Sequence, residues 1–363
     1  MSANLPRASG RRTPAALGFR MPAEWEPHEA TWLAWPHEKS DWPGEFAPIP
    51  HLCAEIVRHL ACVERVRILV RHRAEEDSAR RLLRRAGVNL AAVQFFRAPT
   101  DRSWTRDYGP IFLKNPRGQI AATHWLFNGW AKYHNCAKDS TAFTRFLRRS
   151  KMRVWQPRYP DAARGRRVVL EGGSIDVNGR GALLTTEECQ LSSVQARNPG
   201  LSRADLEQVF RDYLGVRRVL WLARGIAGDD THGHVDDLAR FVGPATVVAA
   251  AETDKAATDY DALAENLARL RSMRDQDGHA LRIVTLPMPE PVFFAGQRLP
   301  ASYANFYIAN GLVLVPVFND ANDRLALNTL AGLFPGRRVV GIPCRGLVLG
   351  LGALHCMMQQ QPA

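Results

Sequence analysis

The sequence predicts an α/β fold in which one supersecondary unit recurs five times. Three observations support this prediction. The order hairpin, helix, strand returns along the chain, the units follow one another with a period of roughly 60 to 80 residues, and apolar residues within each unit have the spacing that its elements require. Repeats of this length are typical of ring and array architectures, which place equivalent loops at one end. We therefore expect a ring of five units whose functional residues lie in these loops.

The first unit begins at residues 30–35, whose apolar and aromatic side chains predict a strand. A helix is expected over residues 51–63, because apolar residues recur there at helical spacing, and a strand is expected over residues 66–70. This unit lacks one strand of its hairpin. We expect the C-terminal segment to supply it beside residues 30–35, which would close the ring next to Cys356.

The other four units each contain a complete hairpin. Asn-Gly pairs at 178–179 and 310–311 are strong hairpin turns, because both positions tolerate positive φ. Ser202, with Asp205 three residues on, predicts the start of a helix. The predicted elements are residues 111–113, 119–125, 139–149 and 152–156 in the second unit, 168–177, 181–186, 202–214 and 216–222 in the third, 238–242, 246–251, 259–271 and 281–286 in the fourth, and 306–309, 312–317, 322–334 and 338–342 in the fifth.

The composition is that of a protein with a sizeable apolar core, with 46% hydrophobic and 23% charged residues. No apolar run approaches the roughly 18 residues of a membrane span. The N-terminus is small, polar and basic without an apolar signal core, so we expect a flexible tail over residues 1–20, a single domain over residues 21–363, and a cytoplasmic location. Six cysteines without metal-ligand spacing predict reduced thiols.

The basic charge raises the question of nucleic-acid binding. Forty-eight Lys and Arg residues against 36 Asp and Glu give a formal net charge of +12. Residues 80–85 and 145–153 are strongly basic, but they fall on predicted helices, where such runs are usually solvated. Because no nucleic-acid motif accompanies them, we do not expect nucleic acid to be the main partner.

Polar residues occur at equivalent junctions between units. The first junction holds Trp104 and Asp107, the next holds Glu171 before two glycines, and the third holds residues 229–236. Each has a structural alternative: an Arg-Asp ion pair, a partnered carboxylate and a capped loop. Cys356 closes the series and is either a packed core thiol or a nucleophile.

His234 and Asp236 would point to the same face if they alternate along an extended strand, which pairs a proton shuttle with a carboxylate. By the same count, His355 faces away from Cys356 and supports or packs. A zinc site formed by His232, His234, Asp236 and Cys356 is an alternative, but its spacing is unlike the helical pair of common zinc hydrolases.

Carboxylates on either side of a planar cation can bind its N–H groups in paired hydrogen bonds, a geometry that suits guanidinium better than ammonium. A guanidinium held there would present its electron-poor carbon to the sulfur of Cys356. Its charge would also favour thiolate over thiol. The residue set therefore favours guanidine chemistry.

Five segments occur in order: Met-Pro-Ala-Glu-Trp-Glu-Pro-His-Glu at 21–29, Trp-Thr-Arg-Asp-Tyr-Gly-Pro at 104–110, Glu-Gly-Gly-Ser at 171–174, Gly-His-Val-Asp at 233–236 and His-Cys at 355–356. Together they resemble the agmatine deiminase and bacterial-type peptidylarginine deiminase family, over about residues 21–361. The resemblance implies a pseudo-fivefold α/β propeller of the pentein type. It also implies hydrolysis of a guanidinium to a ureido group and ammonia, without metal or cofactor.

The resemblance also implies a role for each site residue. Cys356 would attack the guanidinium carbon and form a thiouronium, and His234 would protonate the ammonia and then activate water. Asp107 and Asp236 would bind the guanidinium nitrogens, and Glu171 would orient them and share in proton transfer. Trp104 would line the pocket and contact the apolar stem of the substrate.

The sequence departs from the family pattern near the nucleophile. Leu351 interrupts a glycine run, Ala353 and Asp237 occupy positions where the agmatine branch often has Asn, and residues 357–358 are Met-Met instead of Ile-Thr. These differences leave the chemistry in place and bear on the identity of the substrate.

Agmatine, giving N-carbamoylputrescine, is the predicted substrate. Asp229 or Asp230 would bind its distal ammonium, with a solvated loop as the alternative. Other possibilities are a deiminase of free or peptidyl arginine, whose pocket would need a cation for the substrate carboxylate, an amidinotransferase, or a basic RNA-binding scaffold without catalysis. We expect a small cationic guanidino substrate, no membrane partner, and leave a homo-oligomer open.

Overall fold

Five small mixed sheets, each with the same internal pairing, form the computed structural model, which describes residues 12–159 and 165–363. In each sheet, an antiparallel pair is followed by a helix and then by a strand parallel to one member of the pair. The predicted recurrence of hairpin, helix and strand is confirmed. The fold is mixed α/β.

The first three strands of the chain pair parallel with one another in the first sheet. Strand β2 (Arg65–Val70) pairs with β1 (His28–Ala34), and β3 (Val93–Arg97) extends the sheet on the other side of β2. The third strand was not predicted, because only Val93 of its five residues is buried and two adjacent phenylalanines obscure any alternation. The elements are β1 (His28–Ala34), α1 (Ile49–Leu60), β2 (Arg65–Val70), α2 (Arg73–Arg85) and β3 (Val93–Arg97).

The second and third sheets follow the predicted order with shorter strands. The strand predicted over residues 168–177 is reduced to its last two residues, because Gly172–Ser174 forms a 3-10 turn. Ser202 and Asp205 form the expected capping box. The elements are α3 (Thr105–Tyr108), β4 (Ile111–Lys114), β5 (Ile120–Thr123), α4 (Thr144–Arg149) and β6 (Arg153–Trp155), the two-stranded ribbon β7 (Arg158–Tyr159) and β8 (Arg166–Arg167), then β9 (Asp176–Val177), β10 (Ala182–Thr186), α5 (Glu187–Leu191), α6 (Arg203–Leu214) and β11 (Arg218–Leu222).

The fourth and fifth sheets match their predicted elements closely. A short ribbon between them was not predicted, since two-residue strands carry no periodicity. The elements are β12 (Ala239–Gly243), β13 (Thr246–Ala251), α7 (Tyr260–Ser272) and β14 (Arg282–Pro287), the ribbon β15 (Phe293–Phe294) and β16 (Gln297–Arg298), then β17 (Tyr307–Ala309), β18 (Leu312–Val317), α8 (Asp323–Leu333) and β19 (Arg338–Pro343).

The chain ends in a short helix and strand, α9 (Leu354–Met357) and β20 (Met358–Pro362). Strand β20 pairs antiparallel with β1, with Gln360 opposite Thr31. The C-terminal segment therefore supplies the missing strand of the first unit, as predicted. Because α9 leads directly into β20, this pairing fixes the position of Cys356.

The N-terminal residues before the first strand are packed where the structure describes them. Phe19 is buried with its ring centroid 5.6 Å from that of Trp155. The backbone of Arg20 pairs with that of Lys114 in an isolated antiparallel β-bridge. The boundary of the predicted tail at residue 20 therefore differs from the structure, because residues 12–20 are held by these contacts. Residues 1–11 of the predicted tail lie outside the described residues.

Apolar side chains of the described chain form three clusters, of which the largest joins α1, α8 and the first and fifth sheets. No helix in residues 12–159 and 165–363 combines the length and apolar character needed to cross a bilayer. The core thus lies between the sheets and their helices.

Candidate active site

A cavity of about 300 Å³ collects residues from segments far apart in the sequence. Its lining includes the buried residues Cys356, Asp107 and Trp104. It also includes the partly exposed residues Asp230 and Tyr133, which we call its outer part. Trp104 is nearly fully buried. The structure thus brings Cys356, Asp107, Trp104 and Asp230 together around one cavity.

Cys356 lies in α9, and its thiol is in contact with both an amide and a carboxylate. Nδ2 of Asn305 is 3.2 Å from Sγ, and Oδ2 of Asp236 is 3.6 Å from it. Burial and the neighbouring acidic side chains, of which Asp236 contributes most, raise the pKa of the Cys356 thiol well above its ordinary value. The resting site therefore holds a neutral thiol, and a bound cation would offset the charges that keep it protonated.

His234 is fully buried and surrounded by three carboxylates. Its Nε2 is 3.8 Å from Oε2 of Glu171, and its Nδ1 is 3.9 Å from carboxylate oxygens of both Asp107 and Asp236. The expected strand alternation is wrong, because Val235–Asp237 forms a 3-10 turn that begins after His234. The turn still directs both side chains toward one point.

The surroundings of His234 determine its protonation. Burial opposes the charged ring, but Asp107, Cys189 and Glu171 together raise the pKa of His234 well above its ordinary value. At neutral pH the ring is therefore an imidazolium, which can donate a proton to a leaving group.

Asp107 lies in α3 and is fixed by two hydrogen bonds. Nε1 of Trp130 donates to Oδ2 at 2.8 Å, and the backbone N–H of Gly173 donates to Oδ1 at 3.1 Å. Burial, opposed by His234, raises the pKa of Asp107 to about 6. Trp130 was not predicted as a site residue.

Glu171 forms a fully buried ion pair that the sequence did not reveal. Nε of Arg197 donates to Oε1 of Glu171 at 3.1 Å, and Arg197 also binds the carbonyl oxygens of Gln195 and Thr231. Burial disfavours the carboxylate, but Arg197 and His234 lower the pKa of Glu171 to about 2. The only available signal for Arg197 was the general need of a buried carboxylate for a cation.

Asp236 is held from behind by His355. Nδ1 of His355 is 2.7 Å from Oδ2 of Asp236, and its Nε2 is 2.8 Å from Oε2 of Glu24. Arg240 and Arg106 lie 2.9 and 3.3 Å from the same Glu24 oxygen. His355 therefore joins Asp236 to Glu24, and the contact with Glu24 was not predicted.

Asp229 and Asp230 differ in their surroundings. Asp229 accepts from the backbone N–H groups of Thr231, Gly233 and His234, which ties its loop together. Asp230 lines the cavity, forms an ion pair with Lys132, and accepts a hydrogen bond from the Tyr133 hydroxyl at 2.7 Å. Of these two aspartates, Asp230 is the one that lines the cavity.

The departures near the nucleophile have clear structural positions. Leu351 lines the cavity and adopts φ 64°, a left-handed conformation that glycine adopts more readily. Burial and the charges of Asp236 and Asp229 raise the pKa of Asp237 well above its ordinary value, so its side chain is a neutral acid. A neutral acid resembles the amide of Asn in shape and hydrogen bonding.

Gly173 lies where no side chain fits, which provides a test of the site geometry. In Gly173→Ala the added Cβ would lie 2.6 Å from Nδ1 of His234, 2.9 Å from Oδ1 of Asp107 and 3.0 Å from Oδ2 of Asp236. We expect kcat for the guanidine hydrolysis that the sequence resemblance implies to fall by about 10²-fold or more, because misplacement of these groups disturbs the reacting geometry. Gly332→Ala in α8, where a Cβ meets open space, is the matched control and should leave kcat unchanged. Equal turnover in both variants, measured as ammonia release, would contradict this account of the site.

A family profile and named relatives both match this chain over nearly its whole length. Residues 20–362 match the family profile of Porphyromonas-type peptidyl-arginine deiminase. A Legionella pneumophila relative, whose name proposes an agmatine deiminase, is 36% identical over 354 residues that cover 96% of each chain.

Solved structures of agmatine deiminases are also similar to this chain over nearly its whole length. An agmatine deiminase of Enterococcus faecalis superposes with a TM-score of 0.89 at 32% identity, covering 98% of this chain and 99% of the other. A cysteine-to-serine variant of the C. jejuni agmatine deiminase, with substrate bound, gives 0.83 at 27% identity, covering 95% and 96%. An amidinotransferase from Microseira wollei shares the fold alone, with a TM-score of 0.51 at 13% identity, covering 94% and 96%.

Proposed function

The chain belongs to the Porphyromonas-type peptidyl-arginine deiminase family of hydrolases that act on C–N bonds, and on this premise we propose that it converts agmatine to N-carbamoylputrescine and ammonia through a thiouronium on Cys356. One observation carries the proposal. The thiol of Cys356, the carboxylates of Asp107 and Asp236, and the imidazole of His234 converge on one buried point.

Binding of the guanidinium is the first step. Asp107 and Asp236 accept hydrogen bonds from its nitrogens, and the positive charge of the substrate offsets the carboxylates that hold Cys356 protonated. The thiol then loses its proton, for which Oδ2 of Asp236 is an acceptor 3.6 Å away. The substrate in this way promotes formation of its own nucleophile.

Covalent catalysis follows in two halves. The sulfur forms a bond to the guanidinium carbon, His234 donates its proton to one terminal nitrogen, and the C–N bond breaks to release ammonia. The neutral His234 then takes a proton from water, and the hydroxide adds to the thiouronium carbon. The C–S bond breaks, the hydroxyl proton passes to solvent, where ammonia becomes ammonium, and Asp236 returns its proton to the sulfur of Cys356. Glu171, ionised and held by Arg197, keeps His234 in place and stabilises its charged form.

We also propose that the five sheets form a closed pseudo-fivefold propeller, that no cofactor takes part, and that the enzyme acts in the cytoplasm. The β20–β1 pairing supports the first of these proposals. Cys356 and Asp107 of the cavity lining, together with the fully buried His234, Asp236 and Glu171 next to them, supply the groups that the proposed reaction requires.

The outer part of the cavity bears on the choice of substrate. Asp230 supports a ligand with a distal ammonium, as in agmatine. Lys132 and Arg102 lie in the same region and would suit the carboxylate of arginine, but each is paired with an aspartate, Asp230 and Asp41 respectively. These pairs reduce the positive charge available to a carboxylate, which favours agmatine.

A substrate screen tests the proposed function. Ammonia release is measured with agmatine, arginine, a peptidyl-arginine and methylated arginines, with and without an acceptor amine. We expect the highest kcat/KM with agmatine. A higher value with arginine would assign the arginine reaction, amine-dependent formation of a new guanidine would assign amidinotransfer, and salt-sensitive RNA binding without turnover of any guanidine would contradict the enzymatic proposal.

Two substitutions with opposite expected effects on the KM for agmatine test the role of Asp230. Asp230→Asn removes the charge that would attract the distal ammonium, and we expect KM for agmatine to rise by about three- to tenfold, equivalent to about 1 kcal/mol. Lys132→Ala releases Asp230 from its ion pair and is expected to lower the KM for agmatine. Asp261→Asn, at an exposed position of α7, is the matched control and should change neither value. A KM for agmatine that is the same in Asp230→Asn and wild type would remove Asp230 from the binding site.

A further inference from the structure

A second thiol lies beside the candidate general acid. Cys189 of α5 is buried, and its Sγ, an oxygen of Glu171 and a ring nitrogen of His234 all lie within 4.8 Å of one another. Cys189 is in the helix that follows β10, so it approaches His234 from a different element than Cys356 does. No step of the proposed reaction uses this thiol.

The donor atoms of this cluster have few other partners. Arg197 occupies Oε1 of Glu171, whereas Oε2 has no hydrogen-bond partner among the described residues, and the same holds for both ring nitrogens of His234. Sγ of Cys189 receives one long contact, 3.9 Å from Nε2 of Gln190. Buried polar atoms are nearly always paired, so this concentration of unpaired donors indicates a place where a ligand can bind.

Carboxylate, thiolate and imidazole are the ligands that zinc prefers. Tetrahedral zinc with bonds of about 2.0 to 2.3 Å brings its donor atoms to about 3.3 to 3.8 Å from one another, so side-chain shifts of about 1 Å would complete the site. The nearby carboxylates of Asp107 and Asp236 add negative charge, and Arg197 opposes it. A water molecule would supply the fourth ligand.

We propose that Glu171, Cys189 and His234 form an inhibitory binding site for a thiophilic divalent cation, represented by Zn²⁺. Binding displaces the thiol proton of Cys189 and the ring proton of His234 to solvent, and one Zn²⁺ replaces them without oxidation or reduction. His234 can then neither donate a proton to ammonia nor take one from water. The inhibition, but not the binding itself, rests on the proposed function of His234.

The kinetic form of the inhibition follows from the ligand set. Cys356, Asp107 and Asp236 are not ligands, and one Zn²⁺ in exchange for two protons leaves the formal charge of the site unchanged. We therefore expect Zn²⁺ to lower kcat while KM for the guanidine changes little. Zinc bound between Cys356 and His234 would instead compete with the substrate and raise KM.

Titration of the chelator-treated enzyme with Zn²⁺, with agmatine as substrate, tests the site. Wild type should lose turnover and recover it when EDTA is added. In Cys189→Ser, half-inhibition should need at least about tenfold more zinc, because a thiolate ligand is lost. Two matched variants control for zinc bound elsewhere and should retain wild-type sensitivity: Cys62→Ser, which removes an exposed thiol, and His279→Ala, which disrupts the exposed cluster of Asp275, Asp277 and His279.

A spectroscopic readout separates the metal site from the catalytic proposal. Co²⁺ bound to a thiolate gives a near-ultraviolet charge-transfer band, which we expect in wild type and in Cys356→Ala but not in Cys189→Ser or Cys189→Ala. Circular dichroism of the Cys189 variants establishes that they are folded. A band that persists without Cys189 and disappears without Cys356 would overturn the proposal, as would the absence of any band in wild type. If the protein hydrolyses no guanidine, the cobalt result still decides whether the metal site exists.

Discussion

Cys356→Ala is expected to lower kcat for guanidine hydrolysis by at least about 10⁴-fold, because the substitution removes the only proposed covalent route. The remaining cavity keeps the Asp107 and Asp236 carboxylates, so the variant should still bind agmatine. The substitution also removes the thiol, whose protonation depends on the same carboxylates that bind the guanidinium. Binding is therefore expected to be retained in calorimetry while ammonia release is lost.

The control for Cys356→Ala is Cys53→Ala, which removes a thiol as deeply buried but located in α1. Its turnover should match wild type, which would show that loss of a buried sulfur does not by itself abolish activity. Intact-mass spectrometry of rapidly quenched wild-type enzyme should detect a thiouronium adduct that Cys356→Ala lacks. Undiminished ammonia release by Cys356→Ala would rule out the covalent mechanism.

Most elements of the five repeated units could be predicted because their signals are local. The capping box at Ser202 forms as expected, and a hairpin forms at Asn178-Gly179, although only Gly179 of this pair has positive φ and the loop joins Val177 to Leu183. The pairing of β20 with β1 was predictable from symmetry, since the first unit otherwise lacks a strand. Local patterns and repetition together therefore determine where Cys356 lies.

The support of the site could not be predicted, because its contacts join distant parts of the chain. Glu24 and His355 are 331 positions apart, yet their side chains lie 2.8 Å from each other. Arg197 follows no strand or motif that marks it as the partner of Glu171, and Trp130 reaches Asp107 from a loop with positive φ. Buried ion pairs of this kind follow from the requirement that buried charges be compensated, a requirement that does not identify the partner.

The strand conformation predicted for His234 and Asp236 was wrong because their local backbone could not be predicted either. Two residues that are separated by one position lie on one face in a strand, and the sequence offered no reason to expect a 3-10 turn. The turn brings His234 and Asp236 together by a different backbone path. The residue types suggested that His234 and Asp236 lie together, as they do, whereas the backbone conformation that presents them was not predicted.

His234→Ala is expected to lower kcat by about 10²- to 10⁴-fold, the range that general acid–base groups typically contribute. Both halves of the proposed reaction lose their proton carrier, but the halves are not affected equally. Release of ammonia can draw on water, and Asp107 and Asp236 still bind the guanidinium. Attack of water on the thiouronium needs a base, so a larger fraction of the quenched enzyme should carry the adduct than in wild type.

The control for this variant is His124→Ala, which removes a histidine that is also buried but has Arg167, and not the site carboxylates, as its charged neighbour. It should release ammonia at the wild-type rate if loss of a buried imidazole is harmless in itself. An adduct fraction in His234→Ala equal to that of wild type, together with wild-type ammonia release, would exclude His234 as the proton carrier. Slow turnover without any adduct would instead place its main contribution in the first half of the reaction, before the C–N bond breaks.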